Sequence, residues 1–249
     1  MEEEVALVET RLPPSVSTHI TSAFSIARTK YRDLHTTWID LSGALAGRFS
    51  LPAAEINLQR QGEVDLLIRC MEDEFDPNRV RDLTSVIEFS SHYQMMLSEA
   101  WIIACYEILR ALKQRDEDAL KQCLEPSGVS STAAFRSIYL DFELLRMPIA
   151  KYEIAKDKAL KRPLVMKAIP PNGDTTDNKV YDKDDPTRTH IMPNGLSNRG
   201  SAMWMALDHK NAKAFWIERR DLSDRLLAFQ GEIEPAGLRE ARLKAEGRE

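Results

Sequence analysis

Residues 146–167 hold seven lysine and arginine side chains and only two carboxylates, so this stretch has a net charge of +5. The whole chain of 249 residues has the opposite sign, with a net charge of −5. A local excess of positive charge attracts phosphate groups even where the total charge of a protein does not. We therefore expect phosphate-binding side chains here, namely Arg146, Lys151, Lys158 and Arg162. The alternative is that these cations only complement the dipole at the end of a helix.

A motif surrounds the first of these cations. The segment Leu-Leu-Arg146-Met-Pro-Ile-Ala-Lys151-Tyr follows a long predicted helix, and it resembles the HEPN superfamily over residues 76–160 at most. The resemblance implies an α-helical bundle. In ribonuclease members it also implies a metal-independent active site, built across a dimer from an Arg-x(4–6)-His motif. Position 151 is Lys where that motif has His, and a Lys with a pKa of about 10 is poorly suited to proton transfer at neutral pH.

Three other residues are candidates for catalysis. Arg28 and His35 have the spacing of the same motif with both residue types present, and on one continuous helix they would lie two turns apart. His190 follows Arg188 by two residues in a polar segment that could carry it to a site. These residues keep open a metal-independent endoribonuclease as an alternative function. The alternative is that Arg28 and His35 lie on an ordinary helix surface and that His190 lies in a solvated loop.

Several common catalytic and cofactor motifs are absent. Glu88 and His92 are four residues apart on one predicted helix, but a di-metal bundle needs Glu-x-x-His twice. The three cysteines lack the short spacing of a zinc site, and no Gly-x-Ser-x-Gly elbow occurs. The glycine-containing stretch 195–201 lacks the lysine of a phosphate loop. We therefore predict neither a metal nor a cofactor.

Helical periodicity describes most of the chain. Apolar residues recur at steps of three and four over residues 16–49, 53–72, 76–111 and 132–152, which predicts four helices. The third is apolar on most sides after residue 95 and is expected to be the long central helix. Pro148 is expected to kink the fourth. Helix starts are expected at three caps, which are Ser17 or Thr18, Asp76, and Thr132.

The pattern changes beyond residue 162. Residues 164–169 alternate loosely, and residues 172–200 are polar and rich in turn formers, which predicts a long loop. Residues 202–207 and 214–219 flank a polar turn and are apolar at every second position, which predicts a β-hairpin. Three aromatic residues of this hairpin are expected to contact a protein partner or a second copy: Trp204, Phe215 and Trp216. Asp221 is expected to cap a closing helix.

The predicted architecture is mainly α: a helical bundle with a long central helix and a small C-terminal antiparallel β-hairpin. We expect residues 1–162 to form the bundle, residues 163–235 to pack on it as a β insertion with a closing helix, and residues 236–249 to fray. The longest uninterrupted apolar run has six residues against the roughly 20 of a membrane span. Three cysteines cannot pair completely, which indicates a reducing, cytoplasmic location.

These observations favour a non-catalytic binding or regulatory module that faces phosphate or RNA through its basic helix. The endoribonuclease is one alternative, and a homo-oligomeric protein that associates through the aromatic hairpin is another. We expect a second copy or another protein as partner, nucleic acid as a possible ligand, and no membrane.

Overall fold

A computed structural model describes residues 15–49, 52–75, 90–115, 129–166 and 179–229. The predicted fold class is confirmed: these residues form a mainly α structure with a small antiparallel β addition in the C-terminal region. The six α-helices are α1 (Val16–Lys30), α2 (Arg32–Phe49), α3 (Pro52–Asp73), α4 (Ser90–Arg115), α5 (Val129–Lys151) and α6 (Arg219–Ala228). None of the helices described is long and apolar enough to cross a membrane.

The first predicted helix is in fact two helices, which meet at Tyr31. The backbone of Tyr31 leaves the helical region, with φ −115° and ψ 43°. Its hydroxyl group donates a hydrogen bond to Asp73 of α3, so the ring is held against the neighbouring helix at the break. The start is also different, because Ser15, and neither Ser17 nor Thr18, accepts the capping hydrogen bond from the Thr18 backbone at 3.2 Å.

The core of the bundle is aromatic. The Trp38 and Trp101 rings meet edge to face at 6.5 Å, and Trp101 lies 5.7 Å from Phe142, so one aromatic row crosses α2, α4 and α5. Gly62 of α3 makes room for this row, since a Cβ at that position would lie 2.6 Å from Trp38 Cγ. The predicted helix over 53–72 is confirmed as α3, and α4 confirms the part of the central helix that is described. The predicted cap at Asp76 lies outside the described residues.

Helix α5 starts earlier than predicted and ends one turn after Pro148. It begins at Val129, so Thr132 lies inside the helix and does not cap it. The helix continues through Pro148 and ends at Lys151. The next residue, Tyr152, has a φ of 56°, a left-handed conformation that cannot continue a right-handed helix. The kink at Pro148 stays a prediction.

The predicted long loop over 172–200 is wrong within the residues that the structure describes, because two short strands lie in this range. Strand β1 (Leu164–Met166) pairs with β2 (Lys179–Tyr181), and β3 (Asn194–Leu196) adds to the hairpin of β4 (Ala202–Asp208) and β5 (Lys213–Glu218). Three-residue strands have too few alternating positions to produce a period-two pattern. The hairpin itself is confirmed, with a turn over residues 209–212.

Helix α6 follows β5 directly. It begins at Arg219 with Glu218 as its N-cap residue, so Asp221 lies in the first turn and the predicted cap at Asp221 is wrong. The hairpin places one face against the helices: Trp204 pairs with Ile217, and both are buried. The opposite face carries Trp216 beside Met205. The frayed tail predicted over 236–249 lies outside the described residues.

A network of buried charges joins α6 to α3. Arg219 forms ion pairs with Asp65 and Glu72, and the side chains of all three are buried. Arg69 Nε lies 2.9 Å from Asp65 Oδ2, which also accepts a hydrogen bond from Trp38 Nε1 at 3.0 Å. Burial acts to raise the pKa of Asp65, but Arg219 and Arg69 together hold it below its ordinary value. The two arginines therefore favour the ionised form of Asp65 inside the protein.

Candidate phosphate-binding surface

Arg146, the first of the predicted phosphate ligands, is already paired with another helix. Its Nη2 atom lies 3.0 Å from Glu107 Oε1 on α4. Its guanidinium group also lies over the Tyr106 ring, 5.6 Å from the ring centre. Arg146 therefore joins α5 to α4, and Glu107 already compensates its charge.

The other three predicted ligands are at the surface. Lys151 ends α5, Lys158 lies in the single 3-10 turn Asp157–Ala159, and Arg162 follows that turn. All three are exposed, as is Lys161 between them. Within the part of the chain that the structure describes, none of the four has a carboxylate partner. We call these four residues the cationic surface: Lys151, Lys158, Lys161 and Arg162.

The two carboxylates of the same segment are bound by a distant arginine. Arg188 lies 3.0 Å from Glu153 through Nη2 and 3.0 Å from Asp157 through Nε. Asp157 is buried and also accepts a hydrogen bond from the Tyr181 hydroxyl group at 2.9 Å. Because Arg188 holds both acids, they do not neutralise the lysines beside them. The excess positive charge of this segment therefore stays at the surface.

Tyr152 places an aromatic ring next to Lys151. The ring is 60% exposed, and the left-handed backbone of this residue is held by a 2.7 Å hydrogen bond from the His190 N–H to the Tyr152 carbonyl. A strained conformation that tertiary contacts maintain is a common feature of binding sites. An exposed ring beside cations is the arrangement on which nucleic-acid bases stack.

The three catalytic candidates lie on separate elements of the fold. Arg28 is in α1 and pairs with Glu63 of α3 at 2.6 Å, whereas His35 is in α2, beyond the break at Tyr31. The expectation that Arg28 and His35 share one continuous helix is therefore wrong. His190 is buried with its ring 6.5 Å from Tyr181.

The predicted interface residues differ in exposure. Trp204 is buried at 1% exposure and packs with the core, whereas Phe215 is 36% exposed and Trp216 50% exposed. Of these three residues, only Phe215 and Trp216 are therefore exposed enough to contact a partner. Among the residues described, no group of three or more His, Cys, Asp and Glu side chains lies close enough together to hold a metal ion.

Two parts of this region were not predicted from the sequence. The role of Arg188, which binds the acids of a segment about 30 residues earlier in the chain, has no local signal. Lys161 belongs to the basic stretch and is exposed like Lys156, but Lys156 pairs with Glu143 at 2.6 Å, whereas Lys161 has no carboxylate partner among the described residues. Comparison with known proteins adds no relative: no family model, curated protein or solved structure matches the chain.

Proposed function

We propose that this protein is a non-catalytic module that binds single-stranded RNA through the cationic surface. The observation that carries the proposal is the exposure of four cations without carboxylate partners in the described part of the chain, where Arg188 engages the acids between them. The phosphate groups of RNA provide the negative charges that pair with these four cations. Binding of this kind depends on the backbone charge of the nucleic acid and reads little sequence.

Tyr152 favours a single strand over a duplex. Its exposed ring lies at the end of α5 beside Lys151, and stacking of one base on such a ring contributes about 1–3 kcal/mol. The bases of a duplex are already stacked on each other, so a duplex would gain the electrostatic contribution alone.

Fluorescence anisotropy with a labelled single-stranded RNA tests the proposal. Lys158→Ala and Tyr152→Ala are expected to weaken binding severalfold, because each removes one of the two kinds of contact. Lys210→Ala is the matched control, since Lys210 is exposed in the hairpin turn, far along the chain from the cationic surface. Equal losses in all three variants, or no binding by the wild type, would contradict the proposal.

Incubation of the protein with the same RNA tests the alternative that it is an endoribonuclease. We expect the RNA to stay intact during long incubation with the protein in EDTA, because Arg28 and His35 lie on different helices and Arg28 is paired with Glu63. Cleavage that is lost in His35→Ala or His190→Ala would instead make the protein a metal-independent nuclease.

Self-association is a second candidate, and the outer face of the hairpin favours it. Trp216 is half exposed there beside Met205, and Met203 lies on the same face two residues before Met205. Exposed tryptophans and methionines are enriched at protein interfaces. A second copy of this chain would cover these side chains.

A further inference from the structure

Strand β5 forms one edge of its sheet, in which the strand order is β3, β4, β5. Three successive residues of β5 are exposed, namely Ala214, Phe215 and Trp216. The edge of an exposed strand presents backbone N–H and C=O groups on which another strand can pair. The outer edge of β5 is therefore a place where an extended chain can bind.

The register of the sheet identifies the backbone groups at this edge. The Met205 N–H donates to the Pro193 carbonyl at 2.9 Å, so the backbone of Met205 points away from β5. Met205 lies opposite Trp216, and in such a non-hydrogen-bonded pair the Trp216 backbone points away from β4. The backbone of Ala214, two residues earlier, has the same direction. Among the residues that the structure describes, none hydrogen-bonds to Ala214 or Trp216 across this edge.

A cleft of about 600 Å³ lies beside the same strand. Lys213 and Phe215 of β5 line it, together with residues of α5 between positions 134 and 141 and the end of α6. Of β4, only its last residue, Asp208, lines the cleft, so the cleft follows β5 and not the middle of the sheet. Residues directly opposite each other on paired strands project to the same face. A residue that pairs opposite Phe215 therefore places its side chain at the cleft.

The charged groups of the cleft balance one another, and the rest of its lining is mostly apolar. Arg225 lies 2.8 Å from Asp141 Oδ2, and Lys213 lies opposite Asp208 in the β4–β5 register. The large apolar side chains of the lining are Ile138, Leu140, Phe215 and Phe229. A side chain that enters the cleft finds no excess charge to pair with and gains from apolar contact. An uncharged, apolar side chain such as that of leucine therefore fits the cleft.

We propose that β5 binds an extended peptide as an additional antiparallel strand, with one apolar side chain of the peptide in the cleft. The peptide backbone pairs with Ala214 and Trp216, and the peptide residue opposite Phe215 enters the cleft. Main-chain hydrogen bonds supply affinity in this type of recognition, and the cleft selects the side chain. The antiparallel direction is favoured because its pairing is the more stable per residue.

The peptide site goes beyond RNA binding and does not depend on it, because the cleft and β5 share no residue with the cationic surface. A second copy of this chain suits the edge less well than a peptide. Its own β5 is followed directly by α6 and cannot continue as a strand past Glu218.

Fluorescence anisotropy on the full chain tests the proposal with labelled, end-capped, threonine-rich peptides about nine residues long. A peptide with a central leucine is expected to bind. Replacement of that leucine by alanine or by aspartate is expected to weaken binding about tenfold or more. No binding of the leucine peptide at millimolar concentration, or equal binding of the aspartate peptide, would overturn the proposal.

N-methylation of the peptide tests the strand pairing itself. The N–H of the residue next to the central leucine faces β5, so its methylation is expected to weaken binding about tenfold or more. The N–H of the leucine points away from β5, so methylation there is the matched control and is expected to have a much smaller effect. Equal losses from the two methylations would overturn the proposal.

Variants of β5 locate the site. Ala214→Pro removes an N–H at the outer edge and leaves the hydrogen bonds between β4 and β5 in place, and it is expected to reduce affinity for the leucine peptide at least about fivefold. Ala214→Val is the matched control, because it keeps the N–H and its side chain lies on the face opposite the cleft. Phe215→Ala is expected to weaken binding of the leucine peptide more than that of the alanine peptide.

Unchanged peptide binding in Ala214→Pro, or an equal loss in Ala214→Val, would overturn the proposal. If Ala214→Pro does not fold, the two N-methylated peptides decide. Light scattering detects the other occupant of the edge: a wild-type dimer that Ala214→Pro dissociates would show that a second copy pairs with β5, and would also overturn the proposal.

Discussion

Arg219 and Asp65 are 154 residues apart in the chain, yet they form an ion pair in which both side chains are fully buried. Glu72 lies on the other side of the same guanidinium group, 2.8 Å from Arg219 Nη2. The first turn of α6 is thereby fixed to the C-terminal half of α3, and the hairpin that precedes α6 is fixed with it. A buried ion pair contributes little net stability compared with an apolar pair, but removal of one partner leaves a charge without compensation.

Replacement of Arg219 is therefore expected to be strongly destabilising. Arg219→Met removes the one buried cation that Asp65 and Glu72 share and leaves Asp65 with Arg69 and Glu72 with Arg220 at 3.6 Å. It is expected to lower the free energy of unfolding by about 3 kcal/mol. Arg199→Met is the matched control, because Arg199 is half exposed in its pair with Glu218 and is expected to cost about 0–1 kcal/mol. Urea denaturation measures both, and similar losses in the two variants would contradict the role of the buried network.

Two glycine substitutions are expected to have opposite signs. Gly62→Ala places a methyl group 2.6 Å from Trp38 Cγ, and overpacking of this kind costs about 1–3 kcal/mol. Gly43→Ala in α2 meets no atom within 4 Å, so it is expected to stabilise by about 0.5–1 kcal/mol through the better helix propensity of alanine. Thermal unfolding of the two variants, measured in parallel, checks the packing of α3 on α2. A Gly62→Ala protein as stable as the wild type would show that this packing is wrong.

Acid is expected to weaken the contact between α1, α3 and α6 through Asp73. Burial alone would raise the pKa of Asp73, but hydrogen bonds from Lys30, Tyr31 and Arg220 lower it from 3.8 to about 2. A lowered folded-state pKa contributes stability that is present above pH 3.8 and is lost as the pH falls towards 2. Asp73→Asn is expected to flatten the pH dependence of unfolding in this interval, as measured by chemical denaturation at several pH values. The control Asp184→Asn is expected to retain the slope of the wild type, and a slope that Asp73→Asn leaves unaltered would argue against the contact.

Self-association through the hairpin predicts that the wild-type protein has the molecular mass of a dimer in solution. Light scattering is expected to give a dimer for the wild type and a monomer for Trp216→Ala, because the variant removes the most exposed aromatic side chain of the outer face. Ile191→Ala is the control, since Ile191 is 71% exposed but lies outside the hairpin. A wild-type protein that stays monomeric at high concentration would reject this interface.

The long helices are the part of the fold that the sequence predicts well. Helices α3 and α5 repeat their apolar pattern over several turns, and the hairpin repeats its alternation on both strands. The break at Tyr31 is different, because it coincides with a contact to Asp73, 42 residues later, and local periodicity contains no trace of that contact. Strands β1, β2 and β3 have three residues each, so their structure comes from their pairing partners.

The sequence likewise predicts only part of the candidate site. The basic stretch is visible in the sequence, but the choice among its cations depends on tertiary partners. Arg146 and Lys156 pair with Glu107 and Glu143 respectively, whereas Lys158 and Arg162 have no carboxylate partner in the described part of the chain. None of these differences is encoded by spacing within the stretch.

The salt dependence of RNA binding tests the central claim most directly. Each phosphate contact with single-stranded nucleic acid contributes about −0.7 to the slope of log affinity against log salt concentration. Four contacts on the cationic surface therefore predict a slope of about −2.8 for the wild type, and the double variant Lys158→Ala, Arg162→Ala is predicted to show about −1.4. A wild-type slope near zero, or a slope that the double variant leaves unchanged, would contradict binding at this surface.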